Sequence, residues 1–483
     1  MRDQPIERNT LTPLYLKAAS QIGRSDLSEL ATLEEGWFVE LKERTPDPAK
    51  FAKSISSFAN SHGGLLVIGA KEEQKTRRLS SFSPMPRDFA VKCVERARDA
   101  VIAHISPPLY FDSNIIEIET IDRHAAERWI VVISIPKGNR GPYLHSNGCI
   151  YVRIGDASSP FPLSDLSLQE RLWSESIKRR ERIRSHIEML STQYRKKNPS
   201  LQLVILAEDI NPQANSLTYA AFRNTVLSTQ KKEDQPVFDQ VQTLDTSFIA
   251  RRTDKKVGGR NLLWEYDTRK KLHFVHIPIG THRWDGESLD NFGTEVGLDQ
   301  LSMLLRERDA PKDLIISNLF PALIILSLTI RKIQVLHQEN DFNGLLKVNA
   351  CVVDTIETLP FIGTSAYFDE VQSTNFPFVL RDTGFIWLLE DPSTWHSFPA
   401  RAPSETIDSG NEYELANSLL IFALIAESAG ISLQLSVGFN DSTRALNQTE
   451  IMDMFHKLVS GSFSYTSQEN PNTHINTRRT DSY

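Results

Sequence analysis

Residues 34–73 read EEGWFVELKERTPDPAKFAKSISSFANSHGGLLVIGAKEE, and this stretch decides the fold of the first part of the chain. From Trp37 to Lys42 the side chains alternate. Trp37, Val39 and Leu41 point to one face of a strand, and Phe38, Glu40 and Lys42 to the other, so Glu40 and Lys42 stand side by side. Asp47 followed by Pro48 reads as an N-cap with proline at the first helical position. Phe51, Ile55, Phe58 and Ala59 then recur at helical spacing up to about Asn60. Gly63 and Gly64 supply the backbone freedom to leave the helix, and Leu65 to Ile68, apolar at every position, reads as a strand buried on both faces. Gly69 opens a polar loop, KEEQKTRR. Spacing alone also describes an ordinary strand–helix–strand unit with solvated glutamates.

The order of Glu-x-Lys, a helix ending in SSFANSHGG, the run LLVIGA and, much later, GPYLHSNGCIYVRIGD resembles the Schlafen AlbA-type domain over roughly residues 33–156. The resemblance implies an α+β mixed-sheet module that binds nucleic acid, DNA or RNA. In the Schlafen branch with nuclease activity, two glutamates five positions apart and an aspartate after the next strand form the site. By that resemblance Glu35 and Glu40 match the first two. The third falls on Glu72, with Lys71 beside it where relatives often carry an acid. Two functions follow as expectations. One is nucleic-acid binding, in transcriptional control or defence, with Lys42, Arg153 and a basic helix on the phosphates. The other is a Mg²⁺- or Mn²⁺-dependent endoribonuclease, with Glu35, Glu40 and Glu72 on the metal and Lys42 neutralising transition-state charge. A straight strand sends Glu35 and Glu40 to opposite faces, whereas a bend at Gly36 brings them together. A third reading, an interaction or ligand-sensing protein without nucleic-acid contact, is compatible with an acidic chain.

The chain has 483 residues and a formal charge of -7, which suggests two or three domains and confines any nucleic-acid site to a local patch. Cys93, Cys149 and Cys351 are odd in number and far apart, which fits a reducing cytoplasm, and MRDQPIERNT has no apolar run of a secretory signal. Residues 1–33 read as a packing arm with a helix over Leu11–Ile22. Residues 34–163 form the AlbA-like domain. Within it, Phe89, Cys93, Ala97, Val101 and Ile105 give an amphipathic helix that Pro107 and Pro108 stop. Three strand-like runs follow, IIEIETI, WIVVISIP and CIYVRIG. In the last, alternation puts Ile150, Val152 and Ile154 inward and Tyr151 and Arg153 outward, where they either stack on a base and hold a phosphate or form a surface pair with the Arg153 stem packed on Tyr151.

Residues 164–198 read as a long connecting helix, capped at Ser164 or Ser167. From Ser176 to Lys197 eight Lys or Arg face two Glu, a local +6, which makes Arg179, Arg180 and Arg182 phosphate-binding candidates. A solvated linker helix is the alternative. Residues 199–460 form a second α/β or α+β domain of undisclosed role. It contains LQLVILAE, VQTLDTSFIARR, the pair NLLWEYD and KLHFVHIPIG, and the basic cluster Arg251 to Arg260. His273 and His276 face opposite ways on a strand, which argues against their sharing an ion with each other or with His282. The chain contains no GxxxxGK[ST], GxSxG or Cys-x-x-Cys. Asp313–Ile330 is short for a membrane span and interrupted by Asn318 and Pro321, so it reads as a buried helix. With a second apolar helix near Ala416–Gly430, leading into ISLQLSV, it suggests a homodimer interface. Residues 461–483 read as a disordered tail.

Overall fold

A computed structural model describes residues 13–400, apart from 74, 119–126, 139–140, 155–158, 195–198, 210–216, 229–236, 253–261, 290–296, 341, 343, 356, 364–366, 369–370 and 373–394, together with 417, 421 and 425. Most of the basic cluster at 251–260, most of the helix expected at 416–430, the strand ISLQLSV and the expected tail lie outside the described residues.

The fold is α+β. In the N-terminal domain, β1 (Val39–Lys42) leads through α1 (Pro48–Ala59) to β2 (Gly64–Ile68), which runs parallel to β1 with Val39 opposite Leu65. A short hairpin follows, β3 (Ala70–Glu72) and β4 (Leu79–Phe82). Then come α2 (Arg87–His104), β5 (Asp112–Glu117) and β6 (Glu127–Ile135). Strand β6 pairs antiparallel with both β2 and β5 and, at its start, with Met85–Pro86, so the sheet is mixed. One face buries Phe51, Ile55 and Phe58 of α1 and Ala97 and Val101 of α2 against Leu66, Ile68, Val131 and Ile133. The other face buries Leu14, Ala19, Ile22 and Leu30 of the N-terminal arm against Val39, Leu41, Leu65 and Val67. The continuous apolar run of β2 is thereby explained, because both of its faces are covered.

Several expectations need correction. From residue 13 on, the arm holds short 3₁₀ turns at Leu14–Leu16, Ala19–Gln21 and Arg24–Asp26 and one helical turn at Leu27–Leu30, rather than a helix up to Ile22, because Lys17 and Ala18 are extended. In α2, Phe89 is 63% exposed and Ala90 and Val94 are buried in its place. Steps of four residues advance about 40° more than a full turn, so an i+4 series drifts off the buried face. CIYVRIG forms only a two-residue strand, β7 (Tyr151–Val152), which pairs with Phe161–Pro162 outside the main sheet.

The connecting helix is α3 (Leu166–Tyr194), and Asp165 caps it by accepting from the N–H groups of Ser167 and Leu168. The second domain begins with β8 (Ser200–Asp209) and α4 (Tyr219–Leu227). It continues through β9 (Gln240–Leu244), β10 (Ser247–Arg251), β11 (Leu263–Asp267), β12 (Leu272–Pro278), α5 (Leu298–Glu307) and α6 (Leu319–Glu339), then β13 (Gly344–Val353) and β14 (His396–Pro399). The strands make one antiparallel sheet in the order β9-β10-β11-β12-β8-β13-β14. Helices α4, α5 and α6 cover one face and the second half of α3 the other. The run Asp313–Ile330 is not one helix. Leu314–Asn318 is a strand and α6 starts at Leu319, with Pro321 in its first turn, where proline costs no hydrogen bond. Among the described residues no helix is long and apolar enough to cross a membrane. Leu326, Ile330 and Ile333 of α6 are buried inside the domain, so this apolar face is internal and offers no dimer surface.

Gly63 has φ +77°, and a Cβ there would lie 2.7 Å from the Lys137 nitrogen and 2.8 Å from the Ile135 carbonyl oxygen, all backbone. Gly63→Ala is expected to destabilise the protein by about 2 kcal/mol or more in a urea titration. Gly23→Ala, where nothing lies within 4 Å, should change stability by less than about 0.5 kcal/mol.

Candidate nucleic-acid interface

Glu40 projects from β1 toward α1 and is 2% exposed. A buried carboxylate is tolerable only when its oxygens are paired. Oε1 accepts from Ser54 Oγ at 2.8 Å and lies 2.9 Å from Lys42 Nζ, and Oε2 pairs with the Arg153 guanidinium. Arg153 also donates through Nη1 to the Gly36 carbonyl at 2.7 Å and lies over the Phe58 ring at 3.8 Å, while its backbone N–H donates to Ser61 Oγ at 2.8 Å. Burial lowers the guanidinium below its ordinary value, opposed by Glu40 and Glu35.

Glu35 sits beside this pair because the chain bends at Gly36, whose N–H donates to the Val39 carbonyl at 2.9 Å. Its Oε1 is 3.7 Å from Lys42 Nζ, and its buried Oε2 has no hydrogen-bond partner. Burial pushes its carboxyl up to about 7. Lys42 opposes this, and Glu72, within hydrogen-bonding reach, and Glu40 reinforce it. The bend thus brings Glu35, Glu40, Glu72 and Lys42 into one pocket. Among the described residues no group of three His, Cys, Asp or Glu side chains is arranged to hold a metal ion. Both oxygens of Glu40 are already engaged, which leaves Glu35 and Glu72 as the available oxygen donors.

Two residues expected to stand outward, Tyr151 and Arg153, are buried. Arg153 is 6% and Tyr151 8% exposed, while Ile154, expected inward, is 49% exposed. A two-residue strand does not carry the alternation past Val152, and Arg153 turns back under β1. The Tyr151 hydroxyl accepts from Asn147 at 2.7 Å, and Lys53 Nζ lies 4.9 Å from its ring centre. Arg179 is half-buried between Tyr143 of the first domain and Glu208 of the second. Burial lowers its guanidinium, and Glu208 opposes the shift. Arg180 is half-buried, whereas Lys178, Arg182 and Arg184 are exposed. At 100° per residue, Arg180 and Arg184 lie on the opposite flank of α3 from Lys178 and Arg182, so the charge is split between two edges.

The β3–β4 hairpin carries a cluster of exposed cations that strand periodicity does not single out. Lys71, Lys75, Arg77 and Arg78 are exposed around its tip. The Glu35 N–H donates to the Arg77 carbonyl at 2.7 Å, so this cationic tip borders the pocket. The signal was present in KEEQKTRR, four basic residues against two acidic ones. In the second domain, His276 faces Tyr194 of α3 (ring centres 6.4 Å apart). His273 lies on the other face, its Nε2 2.8 Å from Nε2 of His337, a partner 64 residues away.

The combination of mixed sheet, buried Glu-x-Lys strand and double glycine fits the comparison with known families. Residues 35–162 match the Schlafen, AlbA_2 family model. The Schlafen AlbA_2 family is associated with nucleic-acid binding, and its match ends before α3. No curated protein matches the chain. Among solved structures, the DIP2311 protein from Corynebacterium diphtheriae is similar at 17% identity over 30% of this chain and 27% of that one, with a TM-score of 0.20.

Two predictions follow from the pocket. Arg153→Ala leaves Oε2 of the buried Glu40 without its partner and should cost about 3 kcal/mol in urea unfolding, and Glu40→Leu/Arg153→Met should recover most of that loss. Glu35, whose carboxyl is raised from 4.5 to about 7, binds its proton more tightly folded than unfolded. Stability therefore falls as pH rises between those values and is flat above them. Glu35→Gln should melt above wild type at pH 8, and the gap should close as pH falls toward 5.

Proposed function

We propose that the N-terminal domain binds nucleic acid, DNA or RNA, with the phosphate backbone crossing the β3–β4 hairpin tip and reaching Lys42 at the acidic pocket. The observation that carries this reading is the junction of tip and pocket. Lys71, Lys75 and Arg77 are exposed, and Arg77 is hydrogen-bonded through its carbonyl to Glu35. In a chain of net charge -7, such a cationic edge concentrates phosphate locally. Lys178 and Arg182 on α3 are exposed as well. Three free cysteines are consistent with a cytoplasmic setting, in transcriptional control or defence.

A second reading, a Mg²⁺- or Mn²⁺-dependent endoribonuclease, is favoured by one observation: the unpartnered buried Oε2 of Glu35 on a carboxyl raised to about 7. An acid in that state is short of a cation. Glu35 and Glu72 would supply oxygen ligands, with Glu40 alongside, and hard oxygen donors suit either ion. A bound divalent ion would polarise the scissile phosphate and activate the attacking group. Lys42, shared between Glu35 and Glu40, would then neutralise charge on the phosphate.

Both readings are tested with labelled tRNA, single-stranded RNA and duplex DNA, in Mn²⁺ or EDTA. Wild type should retard nucleic acid, and Lys71→Glu/Lys75→Glu/Arg77→Glu should weaken binding at least about tenfold and lower the salt slope by roughly 2 to 3. Unchanged affinity in that variant would overturn the binding surface. Mn²⁺-dependent cutting that Glu35→Ala abolishes would establish the nuclease, and intact nucleic acid throughout would eliminate it.

A further inference from the structure

The acidic cluster is joined through Glu35 to the cationic hairpin and, two residues along the chain, to an exposed aromatic pair. Trp37 is 42% exposed and stacks on His62, with ring centres 5.8 Å apart and planes 13° from parallel. Behind them Phe38 lies 6.0 Å from His62, and Tyr15 stacks on Phe38 at 4.7 Å. Trp37 and His62 are exposed, and Phe38 and Tyr15 half-buried, so the outer pair rests on an aromatic footing. A lone exposed tryptophan needs no explanation. Four aromatic rings in succession, ending at the surface beside an acidic pocket, do.

The backbone holds this pair rigidly. The Gly36 carbonyl takes Nη1 of Arg153, the Phe38 carbonyl accepts from the Leu65 N–H at 2.7 Å, and the Gly63 N–H donates to the Phe58 carbonyl at 2.9 Å. Little ordering is then left for a ligand to impose. Trp37 is two residues from Glu35, a Cα separation of at most about 7 Å, comparable to one nucleotide of an extended strand. Glu35 thus links the cationic hairpin, through the Arg77 carbonyl, to the aromatic pair two residues on, within the length of one or two nucleotides.

Resting on the nucleic-acid reading above, we propose that Trp37 and His62 form a stacking platform for one unpaired nucleobase and make the domain selective for single strands. A paired base keeps its faces inside the duplex stack and cannot reach such a platform. An unpaired base of any identity can, because every base has a π-face.

The test uses the full-length protein, a 12-nucleotide single-stranded RNA carrying 2-aminopurine, and the duplex of the same sequence. Anisotropy and 2-aminopurine quenching are read for wild type, Trp37→Ala, Trp37→Phe and His62→Ala. Wild type should quench the probe. Trp37→Ala should lose the quenching and about tenfold in single-strand affinity, Trp37→Phe should keep most of both, and duplex affinity should be the same in all four. If Trp37→Ala melts early, His62→Ala, altered at an exposed loop position, carries the same comparison. Binding and quenching that survive both alanine variants would overturn the platform while leaving the nucleic-acid reading in place. Failure of wild type to bind either probe would overturn both.

Discussion

The buried ion pair between Arg153 and Glu40 joins segments more than a hundred residues apart, and the shape of the pocket depends on it. A charge pair removed from water gains nothing by burial itself, because desolvation offsets the attraction unless the remaining lone pairs and donors are also satisfied. Here they are largely satisfied by groups that have geometric consequences. Ser54 ties the carboxylate to α1, the Phe58 face covers the guanidinium, and the Gly36 carbonyl accepts its second nitrogen. The last contact fixes the bend that turns Glu35 toward Glu40. Without it a regular strand would carry the two glutamates to opposite faces. The conformation of an irregular turn is thus held by an arginine that enters the domain from its far end.

That arrangement sets an unequal division of labour among the carboxylates. Glu40 is neutralised from two sides and behaves as part of the frame. Glu35, equally buried, lies 3.7 Å from Lys42 and is under-compensated, and its raised carboxyl reflects burial together with the neighbouring Glu72 and Glu40. Lys42 is the lysine shared by the two glutamates, and the Arg153 guanidinium also interacts with both. Glu35 and Glu40 are buried within the domain, whereas Lys71, Lys75 and Arg77 of the hairpin stand in solvent and Arg78 pairs there with the exposed Glu34.

The sequence made the strand–helix–strand unit legible because each of its signals is local. Asp47-Pro48 starts α1, the double glycine ends it, and the unbroken apolar run of β2 requires cover on both faces. Gly64 adds a packing reason that spacing does not reveal, since a Cβ there would fall 2.4 Å from the Phe58 ring. The approach of Glu35 to Glu40 was legible only as an alternative, conditional on Gly36. The inward turn of Arg153 was not legible, because period-two reasoning presumes a strand long enough to sustain it. Contacts such as Asn60 with the carbonyls of Tyr143 and Tyr151 are long-range and leave no periodic trace. Likewise the approach of His273 to His337 depends on α6 crossing the second sheet.

The connecting helix illustrates how charge can conceal packing. Counting lysines and arginines along α3 suggests a solvated or phosphate-binding rod. Yet Leu168, Leu172, Ser176, Arg179, Ile183, Ile187, Leu190 and Tyr194 succeed one another at steps of three or four, which is a single continuous stripe. Its first part packs on Ile150, Val152 and Leu163 of the first domain, and its second on Val204, Leu206 and Phe274 of the second. The stripe turns polar only at Ser176 and Arg179, where the helix passes from one core to the other. Arg179 therefore points inward for the same reason as its apolar neighbours, and Glu208 and Tyr143 meet it there. Glu208 is held in turn by Lys347, which is 1% exposed, so the charge at the junction is anchored in the second domain. One face of α3 thus packs on the first domain near its start and on the second toward its end, with the polar step of Ser176 and Arg179 between the two contacts.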